Sequence, residues 1–126
     1  MNIKYFFENY TRLEKEWEKF LQTYSPHRNS SALGMTAMRI CYYVAMNPDC
    51  ALKEIALSLN ISLGSASQMV QAMTVNNILT CKRNNDDKRR ISLAPSPVLL
   101  DFFKNSSIWP FVTQELIKTI KKYYFF

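Results

Sequence analysis

The chain of 126 residues is poor in the residue types that build catalytic and cofactor sites. Two glycines are too few for a loop that cradles phosphates, and the one histidine, His27, lies in a polar linker beside a proline. The cysteines Cys41, Cys50 and Cys81 form no CxxC pair, which argues against zinc or a disulfide framework and favours a reducing compartment. No nucleophile–base pair or paired carboxylates can be recognised. We therefore expect no enzyme, no metal and no cofactor.

Long apolar runs are also absent. No stretch approaches the ~20 residues that a membrane-spanning helix needs, and charged residues interrupt positions 1–19, unlike a secretory signal peptide. We therefore expect a cytoplasmic protein without a membrane segment. The length suits one domain with a core. The net charge of +6 and a pI of about 9.3 favour a polyanionic partner.

The most informative stretch, residues 62–93, reads as a helix followed by a basic hairpin. Ser62 can cap the helix, because its hydroxyl can accept a hydrogen bond from a first-turn N–H. Apolar residues then recur at helical spacing and predict a buried face: Ala66, Met69, Val70 and Met73. The residues off that face are small or polar and uncharged: Gly64, Ser65, Ser67, Gln68 and Gln71. Such a face can enter the major groove and hydrogen-bond to base edges or phosphates.

The helix should end at Asn76–Asn77, since asparagine tolerates the left-handed conformation that ends helices. Residues 78–82 and 90–93 read as two strands joined by a polar turn. This hairpin contains five basic residues: Lys82, Arg83, Lys88, Arg89 and Arg90. By composition alone, these basic residues could equally belong to a solvent-exposed turn without a function in binding. The order of short helix, helix, strand, basic turn and strand favours a site for phosphates or a minor groove.

Residues 3–24 predict a first helix with a heptad seam, which we call the aromatic seam: Phe6, Tyr10, Leu13, Trp17, Phe20 and Tyr24. The seam could pack within the chain or against a second copy, and we favour a dimer interface for part of it. A second helix is predicted over 36–47, capped by Thr36, and a very short strand over 50–52. A third, short helix over 53–59 and the turn 60–62 complete a helix-turn-helix.

Ser96 and Pro97 should begin a further helix that reaches about Asn105, as N-cap and first helical residue. A last helix should start at Ser106 or Ser107 and carry an apolar stripe: Ile108, Val112, Leu116 and Ile120. The fold expected is mainly α with a small β-hairpin.

Residues 33–93 resemble the winged helix-turn-helix of MarR-type transcription regulators, including their SarA-like relatives. The matching residues are Met35–Thr36, Glu54–Ile55–Ala56, Ile61–Ser62, Ser67 and the D-x-R signature of the wing, Asp87–Lys88–Arg89. The chain departs from the family at Asn76–Asn77, where relatives usually carry a glycine. It departs again at Ala94–Pro95, where relatives usually end the wing with a sequence similar to Leu-Thr-Pro.

The resemblance implies one winged-helix domain over 1–126, in which 33–94 binds DNA and the helices 3–24 and 97–124 form a homodimer. The expected dimer interface comprises Phe6, Tyr10, Leu13, Trp17, Phe20, Ile108, Val112, Leu116 and Ile120. The expected contacts to double-stranded DNA are Ser62, Gly64, Ser65, Ser67, Gln68, Gln71, Lys82, Arg83, Asp87, Lys88, Arg89 and Arg90. Asp87 would orient Arg89 by an ion pair, or serve as a plain turn residue.

The chain is thus predicted to be a dimeric DNA-binding transcription regulator. The alternative is a winged helix that binds a protein such as a polymerase or replication factor. The family layout would accommodate a small-molecule effector, but the sequence names none.

Overall fold

The computed structural model describes residues 3–25, 33–83 and 91–107. Several predicted site residues lie outside this part of the chain: Asp87, Lys88, Arg89, Arg90, Ile108, Val112, Leu116 and Ile120. The same holds for the linker around His27 and for the predicted last helix.

Five helices and two strands make up the described residues: α1 (Ile3–Tyr24), α2 (Met35–Met46), α3 (Leu52–Leu59), α4 (Leu63–Val75), β1 (Leu79–Arg83), β2 (Ile91–Pro95) and α5 (Pro97–Asn105). The strands pair antiparallel, with Leu79 opposite Pro95 and Arg83 opposite Ile91. This arrangement confirms the mainly helical fold with a small hairpin. No helix of the described ranges is both long enough and apolar enough to cross a membrane.

The predicted serine caps of two helices are confirmed. The Ser62 hydroxyl accepts a hydrogen bond from the Ser65 N–H at 3.0 Å, and the Ser96 hydroxyl accepts one from the Leu99 N–H at 3.1 Å. Pro97 occupies the first turn of α5, where its missing N–H costs nothing. Each cap satisfies a backbone donor that has no partner within its own helix.

The predicted cap at Thr36 is wrong. Helix α2 starts one residue earlier, at Met35, and the cap position falls on Gly34, which has no side chain to offer. The Gly34 carbonyl instead accepts the Ala37 N–H at 3.0 Å, so Thr36 lies inside the first turn.

Helix α4 ends at asparagine, as predicted. Asn77 has φ 60°, and its N–H bonds to the Thr74 carbonyl at 3.1 Å while the Ile78 N–H bonds to the Met73 carbonyl at 2.9 Å. These two bonds form a Schellman motif, in which a left-handed residue lets the last carbonyls find donors. Helix α3 ends in the same conformation, with Asn60 at φ 56°. Asparagine thus serves where glycine is the commoner choice.

The predicted strand over 50–52 is only a single bridge. Cys50 pairs with Leu93: the Leu93 N–H donates to the Cys50 carbonyl at 2.9 Å, and the Asp49 N–H donates to the Leu93 carbonyl at 2.7 Å. Leu52 already belongs to α3, so the extended run is too short for a strand. The bridge nevertheless ties the start of α3 to β2.

The core gathers the second half of α1 with α2, α4 and α5. Trp17 is 2% exposed; its indole N–H donates to the Leu33 carbonyl at 3.2 Å, and its ring lies 5.3 Å from Phe20 and 5.4 Å from Phe102. Cys41 is fully buried and contacts Met73, as expected of an apolar filler. Burial raises the pKa of the Cys41 thiol, which therefore stays protonated at neutral pH.

Candidate nucleic-acid interface

Helices α3 and α4 pack against each other and form the predicted helix-turn-helix. Ala56 is buried on α3, as expected of a small residue where two helices cross closely. Ile61, in the turn, is half-buried against the core, and its N–H bonds to the Ala56 carbonyl at 3.1 Å. The turn therefore holds the two helices at a fixed angle.

Helix α4 has one face in the core and one in solvent. Ala66, Val70 and Met73 are buried and Met69 is partly buried. The opposite face is exposed and uncharged: Gly64, Ser65, Ser67, Gln68 and Gln71. Both faces agree with the sequence pattern, because burial of the apolar stripe turns the polar residues outward. Hydroxyl and amide groups therefore line an exposed surface that can contact a ligand.

The first turn of α4 is held by side chains as well as by the backbone. The Ser62 hydroxyl accepts the Ser65 N–H and donates to the Ser65 hydroxyl oxygen at 2.9 Å. Both functions of the Ser62 hydroxyl are thus used within the turn, whereas the Ser65 hydroxyl keeps a hydrogen to donate. Ser62 therefore positions Ser65, and Ser65 is the better placed of the two to contact a ligand.

The described part of the hairpin carries exposed positive charge. Lys82 and Arg83 are exposed at the end of β1 that lies away from the core, whereas Leu79, at its start, is buried. β1 contacts α4, and the Ser92 hydroxyl donates to the Lys82 carbonyl at 3.4 Å. No acidic residue occurs in β1 or β2, so the charged residues in the described part of the hairpin are all basic.

Two of the three thiols, Cys41 and Cys50, are buried. Cys50 is buried, and desolvation, with a smaller contribution from the Glu54 carboxylate, raises the pKa of its thiol to about 11. Cys81 on β1 is exposed. In the described part of the chain, no three histidine, cysteine or acidic residues are grouped to hold a metal ion.

The aromatic seam of α1 is divided between two environments. Leu13, Trp17 and Phe20 are buried within the chain, whereas Phe6 and Tyr10 before them and Tyr24 at the end of the helix are exposed. The alternative of packing within the chain therefore accounts for Leu13, Trp17 and Phe20. The seam residues left exposed for a second copy are Phe6 and Tyr10 in the first half, and Tyr24, whose ring lies 4.9 Å from that of Phe20.

Sequence reasoning missed Leu63, the first residue of α4. Its spacing from Ala66 and Val70 would place it on the buried stripe, yet 55% of it is exposed. The helical period predicts on which side of the helix a residue lies, but it does not predict whether a neighbouring element extends far enough to cover the end of the helix. No signal in the sequence alone reveals this exposure.

No protein-family model matches the sequence, and no curated protein matches it. Solved structures do match. A MarR transcriptional regulator from Methanosarcina mazei Go1 is 11% identical, with a TM-score of 0.55 over 94% of this chain and 88% of its own. Streptococcus pneumoniae FabT, solved in complex with DNA, is 14% identical, with a TM-score of 0.56 over 94% and 87%. A mutant of S. aureus MepR bound to an oligodeoxyribonucleotide is 13% identical, with a TM-score of 0.50 over 97% and 92%. The chain thus has the winged helix-turn-helix fold of MarR-family transcriptional regulators.

Proposed function

We propose that the protein is a homodimeric transcription regulator that binds double-stranded DNA with sequence preference. The observation that carries this proposal is the outward face of α4, which is polar, uncharged, exposed and fixed to the core from behind. A helix of this kind fits the major groove and can pair with base edges there. The DNA complexes of two proteins with the same fold support the proposal.

The proposal assigns base contacts to Ser65, Ser67, Gln68 and Gln71, with Ser62 holding the first turn. Gly64 supports a close approach: a Cβ added there would meet nothing within 4 Å, so packing within the chain does not require a glycine. A missing side chain on an outward surface leaves room for a partner. Gln68 and Gln71 carry the amide group that can pair bidentately with adenine.

The basic hairpin would hold the DNA backbone. Lys82 and Arg83 are exposed on β1, a strand that contacts α4, and the wing residues Lys88, Arg89 and Arg90 would add to them, with Asp87 orienting Arg89. Phosphate contacts of this kind supply affinity and register, while base contacts supply preference. In this layout residues 33–94 form the DNA-binding winged helix.

The dimer would form through helices 3–24 and 97–124. Phe6 and Tyr10 are the exposed members of the first half of the aromatic seam, and Ile3 and Phe7 extend the exposed apolar surface on the same turns. A surface this rich in apolar side chains is typical of an interface. A two-fold dimer would place two α4 helices about one DNA turn apart, ~34 Å, and so predicts a palindromic site.

A DNA selection followed by a salt titration tests the proposal. Full-length protein would select duplexes from a genomic library, and affinity for the selected duplex would be measured by fluorescence anisotropy over a range of salt concentrations. We expect log K to fall linearly with log salt, by ~0.9 for each phosphate neutralised. A flat salt response, or no selected duplex, would contradict DNA binding and favour a protein partner.

A further inference from the structure

Leu63 exposes 55% of its surface, although it is large and apolar. Val75, at the opposite end of α4, is the other large hydrophobic residue that this helix exposes. Single exposed apolar residues are common on protein surfaces, so exposure alone assigns no role. The position of Leu63 on α4 and the chemistry of its neighbours are more informative.

Leu63 begins a row of exposed residues along α4. Side chains four positions apart are neighbours on a helix surface, so Leu63, Ser67 and Gln71 form one row, and all three are exposed. In helix-turn-helix proteins the N-terminal residues of the second helix contact base edges. Leu63 is therefore the member of the row that would lie deepest in the groove.

Hydrogen bonds hold the backbone of the first turn around Leu63. The Ser62 hydroxyl binds both the N–H and the hydroxyl of Ser65, at 3.0 and 2.9 Å, and so fixes the backbone on either side of Leu63. A restrained backbone loses less freedom when it docks. The exposed leucine is thus prepared for a contact.

The chemistry of the major groove leaves one type of partner for this side chain. Leucine neither donates nor accepts a hydrogen bond, and the apolar group that base pairs present in this groove is the C5-methyl of thymine. We propose that Leu63 is a specificity-determining residue that packs against a thymine methyl group. This inference rests on the DNA-binding function proposed above. It adds a contact to the methyl group, which the hydrogen-bonding groups of α4 do not supply.

Replacement of thymine by deoxyuridine tests the contact, because deoxyuridine lacks only the methyl group. Each thymine of a selected duplex would be replaced singly, and affinities would be measured for the wild type, Leu63→Ala and Val75→Ala. At one position in the half-site, we expect deoxyuridine to weaken wild-type binding about fourfold, the value for one buried methyl group. That loss should vanish in Leu63→Ala and persist in Val75→Ala, a matched control on the same helix. Thermal unfolding would check that both variants remain folded.

Three results would overturn the inference, and the last of them is distinguishable from the first two. If the wild type binds the duplex but no thymine methyl matters, or if Leu63→Ala weakens thymine and deoxyuridine duplexes equally, Leu63 does not read thymine, although DNA binding stands. If the wild type binds no duplex at all, the proposed function fails and the inference fails with it.

Discussion

The two halves of α1 follow the same heptad spacing but have different surroundings. Phe6 and Tyr10 are 47% and 42% exposed, and their rings stack on each other at 6.3 Å. Trp17, further along the same helix, is 2% exposed and packs on Phe20 and Phe102. A heptad seam therefore specifies a helix that is covered on one side. It does not specify whether the covering surface belongs to the same chain.

The difference arises from where the neighbouring elements lie. The second half of α1 meets Phe102 of α5 and the Leu33 carbonyl before α2. In the first half, the aromatic contacts that the structure describes are between residues of α1 itself, such as Phe6 and Phe7, whose rings are 5.5 Å apart. The second half thus contributes to the stability of the chain, and the first half is proposed to contribute to assembly.

The largest effect is expected in the buried half. Trp17→Ala should lower the free energy of unfolding by about 3–5 kcal/mol, because it leaves a cavity and deprives the Leu33 carbonyl of its donor. Urea denaturation followed by circular dichroism would measure the loss. Gln22→Ala, an exposed residue on another side of α1, is the matched control and should change stability by no more than about 0.5 kcal/mol. A loss below about 1 kcal/mol for Trp17→Ala would remove the distinction between the halves.

The exposed half should affect assembly. Replacing both Phe6 and Tyr10 by alanine should weaken dimerisation by at least about tenfold, since burial of one large apolar side chain is worth about 1.5–3 kcal/mol. Sedimentation equilibrium would measure the dissociation constant, and helix content should remain unchanged. The proposal is contradicted if the wild type sediments at micromolar concentration only as the 14.8 kDa species.

The smallest effect concerns Glu16, which lies beside the buried half. One of its carboxylate oxygens accepts the Ser107 N–H at 2.9 Å and so fastens α1 to the residues after α5. Glu16→Ala should cost about 1 kcal/mol, the usual net value of one hydrogen bond. Glu16→Gln retains an acceptor and should recover part of the loss in the same denaturation experiment. Glu14→Ala, an exposed neighbour, serves as the control, and an equal loss in that variant would show that the contact contributes nothing.

Much of the fold follows from local sequence signals. Ser62, Ser96 and Pro97 begin their helices as predicted, because capping depends only on residues within one turn. Asn77 ends α4 for a similarly local reason, and the bounds of α1 are those predicted. Strand β1 begins one residue late, because the Ile78 N–H is already used in the cap of α4.

The features that the sequence did not predict depend on distant neighbours. The division of the aromatic seam depends on where α5 packs, and the exposure of Leu63 depends on which elements reach the start of α4. The polar face of the candidate site was predictable, since it is the complement of an apolar stripe. The contribution of each residue on that face to DNA binding remains a prediction.

Matched titrations of Gln68→Ala and Lys82→Ala on the selected duplex and on scrambled DNA test the central claim most directly. If α4 reads bases and the hairpin holds phosphates, Gln68→Ala should cost about 1–3 kcal/mol on the selected duplex and little on scrambled DNA. Lys82→Ala should weaken both about equally and lower the salt slope by ~0.9 for each copy of the contact. If Gln68→Ala binds both duplexes as the wild type does, Gln68 does not read a base. If neither variant changes either affinity, the assigned surface does not contact DNA.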